Sequence, residues 1–390
     1  MTTPIAAQAP SAALLVRPHR FTPNPATARD NAFQSPPTAA TETIAAAAHA
    51  EVTAAADTLR AHGVRVHLVE DEDADRPDSV FPNNWFSTHA DGRIAVYPMY
   101  AANRRTERRR DVLDLLRRHY RVRQVLDYSG CERQRRFLEG TGAMVLDHER
   151  GRAFAVRSLR TDPGLVDAVC HDLGYRPVLI DASDRHGRPV YHTNVMMTLG
   201  SSLALVASEL IPDPIRRNEV ERLLSDEGRR ELVRLSEEQV AAFAGNAIEL
   251  DGDGHRLLAM SARGVASLSP VQRRVIERHV DLLPIPVPTV ELAGGSVRCM
   301  IAGIHLPRRE ESAHGGQQSF DGHALQPGGV GVPGSRRDLR HLEPPARPGQ
   351  QTDVVPRDDE VGPAPQRQPH LRAASGRDEH QSSQPAERMR

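Results

Sequence analysis

Between positions 12 and 307 the apolar residues follow two rhythms by turns. Short apolar or alternating runs at 14–17, 64–69, 93–99 and 122–126 read as strands. Longer runs with apolar positions three and four apart read as helices. The first covers 41–62 and is closed by Gly63; the second covers 106–120, with Val112, Leu115 and Leu116 on one face. Hairpins are expected where 143–146 meets 153–156, where 195–199 meets 203–206, and from 248 to 260 across Asp251-Gly252-Asp253-Gly254. A helix opens at Thr161-Asp162-Pro163 and closes at Gly174; others run over 214–228 and 269–281. Strands follow at 177–180, 232–235 and 284–290, and a last one carries Cys299 after the pair Gly294-Gly295.

The recurring unit is hairpin, helix, strand. It returns about every 50–57 residues, five times if the alanine-rich first helix is counted. Repeats of that length point to an α/β fold built as a closed five-bladed propeller, the first strand closing the ring. A doubly wound parallel sheet is the alternative, because strand–helix alternation alone favours it. The pattern divides the chain into a disordered tail at 1–11, an α/β-propeller catalytic domain at 12–307, and a low-complexity segment at 308–390. That last segment is rich in Arg, Gly, Pro, Gln, His and Ser, with Phe320 its single aromatic residue. It cannot bury enough apolar surface to offset chain entropy, so disorder is expected. A genuine tail and the product of a shifted reading frame both fit its composition.

Composition narrows the classes. Net charge is −1, so no global field favours nucleic acid or a membrane surface. All 50 basic residues are arginine. Three cysteines, Cys131, Cys170 and Cys299, are too few and too far apart for a disulfide framework or a zinc site. That usage fits a reducing cytoplasm, and neither a signal peptide nor a membrane span is expected. Cys170 falls on an amphipathic helix and reads as core; Cys131, among arginines and Glu132, reads as a surface thiol. His62, His67, His89 and His119 show no ligand spacing, and no metal or other cofactor is expected.

The repeat then selects candidates. Asn84, Glu139, His192, Asn246 and Cys299 follow one another at intervals of 53 to 55 residues. Equivalent positions of successive blades meet near the axis of a ring, so this spacing gathers a thiol, an imidazole, a carboxylate and two amides. A thiolate assisted by an imidazole can attack an electrophilic carbon, and the same imidazole can protonate the leaving group. Asp78 adds a second carboxylate, and nearby arginines could grip a substrate carboxylate in two-pronged fashion.

The motifs Asp78-Ser79-Val80-Phe81-Pro82-Asn83-Asn84-Trp85, Asn103-Arg104-Arg105, Phe137-Leu138-Glu139-Gly140-Thr141-Gly142, Arg160-Thr161-Asp162, Tyr191-His192-Thr193-Asn194 and Gly295-Ser296-Val297-Arg298-Cys299-Met300 resemble those of the guanidino-group-modifying enzymes. That superfamily includes arginine deiminase, dimethylarginine dimethylaminohydrolase and the amidinotransferases. The similarity is nearest to the citrulline-utilisation hydrolase branch, which includes bacterial amidinotransferase-type sequences, and it covers roughly 12–307. It implies the pentein fold, with Cys299 as nucleophile, His192 as acid and base, and Glu139 as its carboxylate partner. It assigns guanidinium binding to Asp78 and a substrate-carboxylate clamp to Arg160, with Arg105 or Arg104 assisting; Asn84 and Asn246 complete the binding set. Hydrolysis of arginine, methylarginine or citrulline is the implied activity. Transfer of the amidino group to an amine, or an inactive binding protein with an altered C-terminus, are the alternatives. Asn84 stands where dimethylarginine hydrolases tend to carry aspartate, which suits a neutral ureido substrate. Gly303 and His305 are unusual for a closing strand. The expected partner is a small amino-acid substrate, and a homodimer is compatible with the family.

Overall fold

The first strand, β1 (Ala12–Pro18), lies at the centre of a three-stranded sheet and pairs in parallel with β2 (Arg65–Asp71). The chain between them crosses over through α1 (Thr41–Ala61), whose apolar face Ile44, Ala48, Val52, Ala55 and Leu59 packs on Ala13 and Leu15. Gly63 ends the crossover at φ 81°, a left-handed value that glycine adopts without strain. This computed structural model describes residues 7–37 and 39–309.

The remaining blades repeat one plan. A short strand pairs antiparallel with the next, and a helical crossover returns a third strand in parallel. The second blade is β3 (Phe86–Thr88), β4 (Arg93–Val96), α2 (Arg110–His119) and β5 (Gln124–Asp127). The third has a one-turn helix α3 (Gly140–Ala143) before β6 (Met144–Asp147), then β7 (Arg152–Val156), α4 (Pro163–Leu173) and β8 (Arg176–Ile180). The fourth is β9 (Met197–Leu199), β10 (Leu203–Val206), α5 (Pro214–Leu224) and β11 (Glu231–Arg234). A short helix, α6 (Glu237–Ala241), leads to the fifth: β12 (Ile248–Gly252), β13 (His255–Ser261), α7 (Ala262–Ser267), α8 (Pro270–Glu277) and β14 (Asp281–Ile285). The turn α9 (Val297–Met300) precedes β15 (Ala302–Ile304), which pairs antiparallel with β1 and completes the first sheet.

Five three-stranded sheets result, and β15, β3, β6, β9 and β12 are each the edge strand of one. Closure turns these five edges toward a common axis, which removes them as templates for further pairing. The helices bury their apolar stripes outside the ring. Val112 and Leu116 of α2 join Ile94 and Val96, while Leu165, Val166, Val169 and Cys170 of α4 join Ala95 and Leu146. Each such side chain contributes roughly 1.5–3 kcal/mol relative to exposure. Among the described residues no helix is long and apolar enough to cross a membrane.

The caps read from the sequence are present. The Asp162 side chain accepts from the Leu165 amide, and Gly174 closes α4 at φ 78°. Ser269 and Gln272 form a reciprocal capping box on α8.

Four expectations are corrected. Residues 8–10 are not a loose tail. The Gln8 amide donates to the Leu146 and Leu199 carbonyls and accepts from the His148 amide, and the Pro10 carbonyl accepts from the Asp251 amide. An amide and a carbonyl with partners on several blades hold that segment. The helix expected over 106–120 begins only at Arg110, because 102–107 form a 3-10 turn in which Arg104 grips Glu107. The strand expected at 284–290 lies at Asp281–Ile285; it is an edge strand, where Pro284 is tolerated. Cys299 sits in the turn α9 rather than in a strand, the amides of Cys299 and Met300 both donating to the Ser296 carbonyl. At the far boundary Arg308 bridges to Tyr120 and the Arg309 amide donates to the His119 carbonyl. The rest of the segment expected to be disordered, from 310 on, lies outside the described residues, as do residues 1–6.

Candidate active site

All five residues of the 53–55 spacing lie just ahead of an axial edge strand: Asn84 before β3, Glu139 before β6, His192 before β9, Asn246 before β12 and Cys299 before β15. The reason is the repeat itself, since the chain enters each blade at the same end of the axis. Short helical turns at these entrances aim their side chains inward. Two glycines permit the close approach. A Cβ on Gly140 would lie 2.5 Å from the Asn83 carbonyl oxygen, and one on Gly142 would lie 2.9 Å from His192 Nδ1.

Cys299 and His192 line one buried pocket together with Asp78, Asn84, Arg104, Arg160 and Tyr191. The Cys299 sulfur accepts hydrogen bonds from Asn194 Nδ2 at 3.3 Å and Asn246 Nδ2 at 3.2 Å. Asn246 Oδ1 in turn accepts from the Cys299 amide. Asn246 thus bonds both the sulfur and the amide of Cys299, and it is not among the residues that line the pocket. Asn194, two residues past His192, was visible in the Tyr191–Asn194 motif, but it falls outside the 53–55 series and was not singled out.

Glu139 Oε2 meets His192 Nε2 at 2.9 Å, Arg160 Nη1 at 3.4 Å and Arg104 Nη1 at 3.5 Å, while its Oε1 accepts from the Tyr100 amide. Burial alone would raise its pKa. Arg160, the His192 hydrogen bond and Arg104 outweigh burial and hold the carboxyl well below the usual range. The His192 pKa is lowered as well: burial lowers it, Glu139 opposes, and the two arginines add to the lowering. The resting state is thus a carboxylate against a neutral imidazole.

Asp78 accepts from Asn24 Nδ2 at 2.8 Å through Oδ2, which also lies 3.5 Å from Arg104 Nε. Its Oδ1 is buried with no partner among the described residues, and so is Asn84 Nδ2. An orphaned acceptor and an orphaned donor line one pocket, which is what a ligand with both N–H groups and a carbonyl-like atom would satisfy. Asn84 Oδ1 accepts from Arg104 Nη2 at 3.1 Å.

Of the two adjacent arginines, Arg104 enters the pocket and holds Glu107 with two bonds of 2.9 Å. Arg105, the other residue expected to assist, is not among those that line it. Its guanidinium turns to Glu132 at 3.4 Å and donates to the Met99 carbonyl, beside the Phe137 ring. Their positions in a 3-10 turn send neighbours to different sides. Arg160 lies 4.8 Å from the Tyr191 ring, but its fork is engaged by Asp30 at 2.7 and 2.8 Å. Asp30 belongs to the loop between β1 and α1, which lies over the pocket through Asn24, Thr27 and Asn31, and Asn31 Nδ2 donates to the Ala293 carbonyl. The turn signal Asn24-Pro25 was the only trace of that loop in the sequence.

Cys170 is buried in the α4 core and Cys131 is partly exposed, as expected. One group of potential metal ligands occurs among the described residues: His19, His49 and Glu70, whose ligand atoms lie within 4.8 Å of one another. It does not line the pocket, and Arg17 already grips Glu70.

Five three-stranded sheets closed on an axis, with these side chains at one mouth, define the pentein fold and its guanidino-group-modifying class. A sequence profile of the eukaryotic N,N-dimethylarginine dimethylhydrolases matches residues 17–306, and the chain belongs to that family of guanidino-group hydrolases. No curated protein sequence matches significantly. Among solved structures, the N-terminal domain of ArgZ, an arginine dihydrolase from the ornithine–ammonia cycle in Cyanobacteria, is 16% identical with a TM-score of 0.59, covering 76% of this chain and 98% of that one. Unliganded AgrE is 15% identical with a TM-score of 0.60, over 77% of this chain and 40% of its own. Dimethylarginine dimethylaminohydrolase carrying an adduct with S-methyl-L-thiocitrulline is 15% identical with a TM-score of 0.51, over 76% and 99%.

Proposed function

We propose that the pocket hydrolyses a guanidino C–N bond of an arginine-type amino acid, with methylated arginine the favoured substrate, through a covalent adduct on Cys299. The observation that carries this reading is the convergence of the amide-supported Cys299 sulfur, the His192–Glu139 pair and the orphaned Asp78 oxygen on one buried pocket. Asp78 accepts N–H bonds from the guanidinium. Neutral His192 takes the thiol proton, and the thiolate adds to the guanidino carbon, forming a C–S bond as the C=N electron pair moves to nitrogen. The imidazolium, balanced by Glu139, returns its proton to the departing amine and the C–N bond breaks. Water then loses a proton to His192 and attacks the same carbon. The C–S bond breaks, restoring the thiolate and releasing a ureido product. From N,N-dimethylarginine the products are dimethylamine and citrulline. Arg160 binds the substrate carboxylate once Asp30 leaves its fork, and the Asn84 donor suits the ureido oxygen of the product.

The family match favours methylated arginines, and the arginine dihydrolase ArgZ makes arginine the first comparison. The test is to incubate the protein with dimethylarginine, arginine and citrulline, with and without glycine as amine acceptor, and to measure citrulline, ornithine, dimethylamine and ammonia. Mass spectrometry of acid-quenched enzyme should find an adduct on Cys299, and Cys299→Ser should cut turnover by at least about a thousandfold. Turnover that survives this substitution would sink the mechanism, and an amidino product that needs glycine would make it a transferase.

A further inference from the structure

The axis continues beyond the pocket into a second chamber. Its walls are the five edge strands themselves, closed on one side by Gln8 and Pro10. It encloses about 60 Å³, room for a few waters or one small ion. Gly303 is needed there because a Cβ would meet Pro10 Cγ at 2.8 Å.

Into this chamber projects Arg298, the residue before Cys299. Among the described residues its guanidinium makes one hydrogen bond, from Nη1 to the Ile301 carbonyl at 2.9 Å, and no carboxylate lies within ion-pair distance. Every other arginine deep in the structure, Arg104, Arg160 and Arg230, holds at least one carboxylate. Burial pulls the pKa of Arg298 down to about 10, yet the group stays a cation at neutral pH. The other basic groups on the wall bring no charge. The His148 and His305 rings lie 3.9 Å apart between centroids, tilted by 34°; burial, and the neighbouring histidines in second place, hold both well below their ordinary range. Glu249 also lines the chamber, but its carboxylate is answered by the Ser201 amide and lies 3.9 Å from Arg256. Arg298 is half-buried, open only in part and without a carboxylate partner, and a guanidinium this deep in a fold is favoured where something else supplies negative charge.

We propose that this chamber is a binding site for a small monovalent inorganic anion of the chloride class, held by Arg298 between the uncharged rings of His148 and His305. The site is separate from the substrate pocket and independent of the reaction proposed for it. The anion neutralises Arg298, so it stabilises the closed ring.

The experiment is thermal unfolding of the full chain at constant ionic strength, with chloride replacing gluconate, an anion too large for the chamber. A saturable rise of about 3 °C is expected at roughly ten times the dissociation constant. Arg298→Leu should abolish the rise while being at least as stable as the parent in gluconate, because an apolar side chain removes the uncompensated charge. Should that variant fail to fold, bromide-soaked crystals of the unaltered protein decide, by anomalous scattering. A bromide peak beside Arg298 supports the site. A chloride effect that persists in Arg298→Leu, or no peak at saturating bromide, overturns it.

Discussion

At the pocket end of the axis, two buried arginines share Glu139 and each also holds a carboxylate of its own: Glu107 for Arg104, Asp30 for Arg160. In the axial chamber, Arg298 has a single backbone carbonyl; His148 and His305 on the wall, and His89 packed behind His148, are kept neutral chiefly by desolvation. Both regions lie deep in the fold, so charge is expensive in both. The pocket meets that cost with reciprocal ion pairs, which fix side chains in position and hold protonation states: an ionised Glu139 against a neutral His192. The chamber meets it by suppressing protonation, which leaves room and one unsatisfied cation. Ion pairing suits a site that must orient a reaction, whereas suppressed protonation makes a region that responds to pH and to ions.

The contrast can be broken most directly at Glu139. Glu139→Gln keeps the shape but removes the charge shared by His192, Arg104 and Arg160. Turnover should fall by about a hundredfold or more, and unfolding in urea should show a loss of about 3–5 kcal/mol. Retention of both would mean that the network does not organise the pocket.

The pH dependence of stability tests the chamber. His89 and His148 have folded pKa values of about 3, and that of His305 is also well below its ordinary range. Because these values are depressed, the unfolded chain binds protons first as pH falls below about 6.5. Stability should therefore drop from about pH 6 toward pH 4, at up to roughly 4 kcal/mol per pH unit for the three groups together. Glu139, also depressed, adds its own loss only at lower pH, below the ordinary carboxylate range. Replacing His305 by Asn should lower the slope by about one proton; an unchanged slope would place the acid sensitivity elsewhere.

A smaller effect is expected at Asp30. It occupies the fork of Arg160 proposed to receive the substrate carboxylate, so on that proposal Asp30→Asn should lower KM by about two- to tenfold with kcat little changed. A rise in KM would instead assign Asp30 to the substrate ammonium. Smallest of all is Arg105→Ala. Its contact with Glu132 is partly exposed, so stability should change by no more than about 1 kcal/mol and activity hardly at all. A large loss of activity would return Arg105 to the site.

The pocket was far more legible in the sequence than the chamber. Cys299, His192, Glu139, Asn84 and Asn246 share a period because the chain meets the axis once per blade, and that regularity survives in the numbering. Asp78 could be found because it stands in the same loop as Asn84. The chamber residues have no such signal. His148 lies in a hairpin turn, His305 past the last strand and Arg298 next to Cys299. They meet only because β6 and β15 bring their far ends to one axis. Asp30 and Gln8 were invisible for a related reason: each reaches its partners from a segment with no periodic pattern.

The sequence by itself determined the period, the five blades, the helix caps and the axial series of polar residues, because these depend on local propensity and on spacing that the repeat imposes. The tertiary structure alone decided which of two adjacent arginines faces the pocket, which carboxylate occupies Arg160, and that Cys299 sits in a helical turn between two amide donors. It also decided that Arg298 projects, without a carboxylate, into the chamber. Those outcomes depend on packing between segments up to hundreds of residues apart, where a change of one position along a turn sends a side chain to the opposite side.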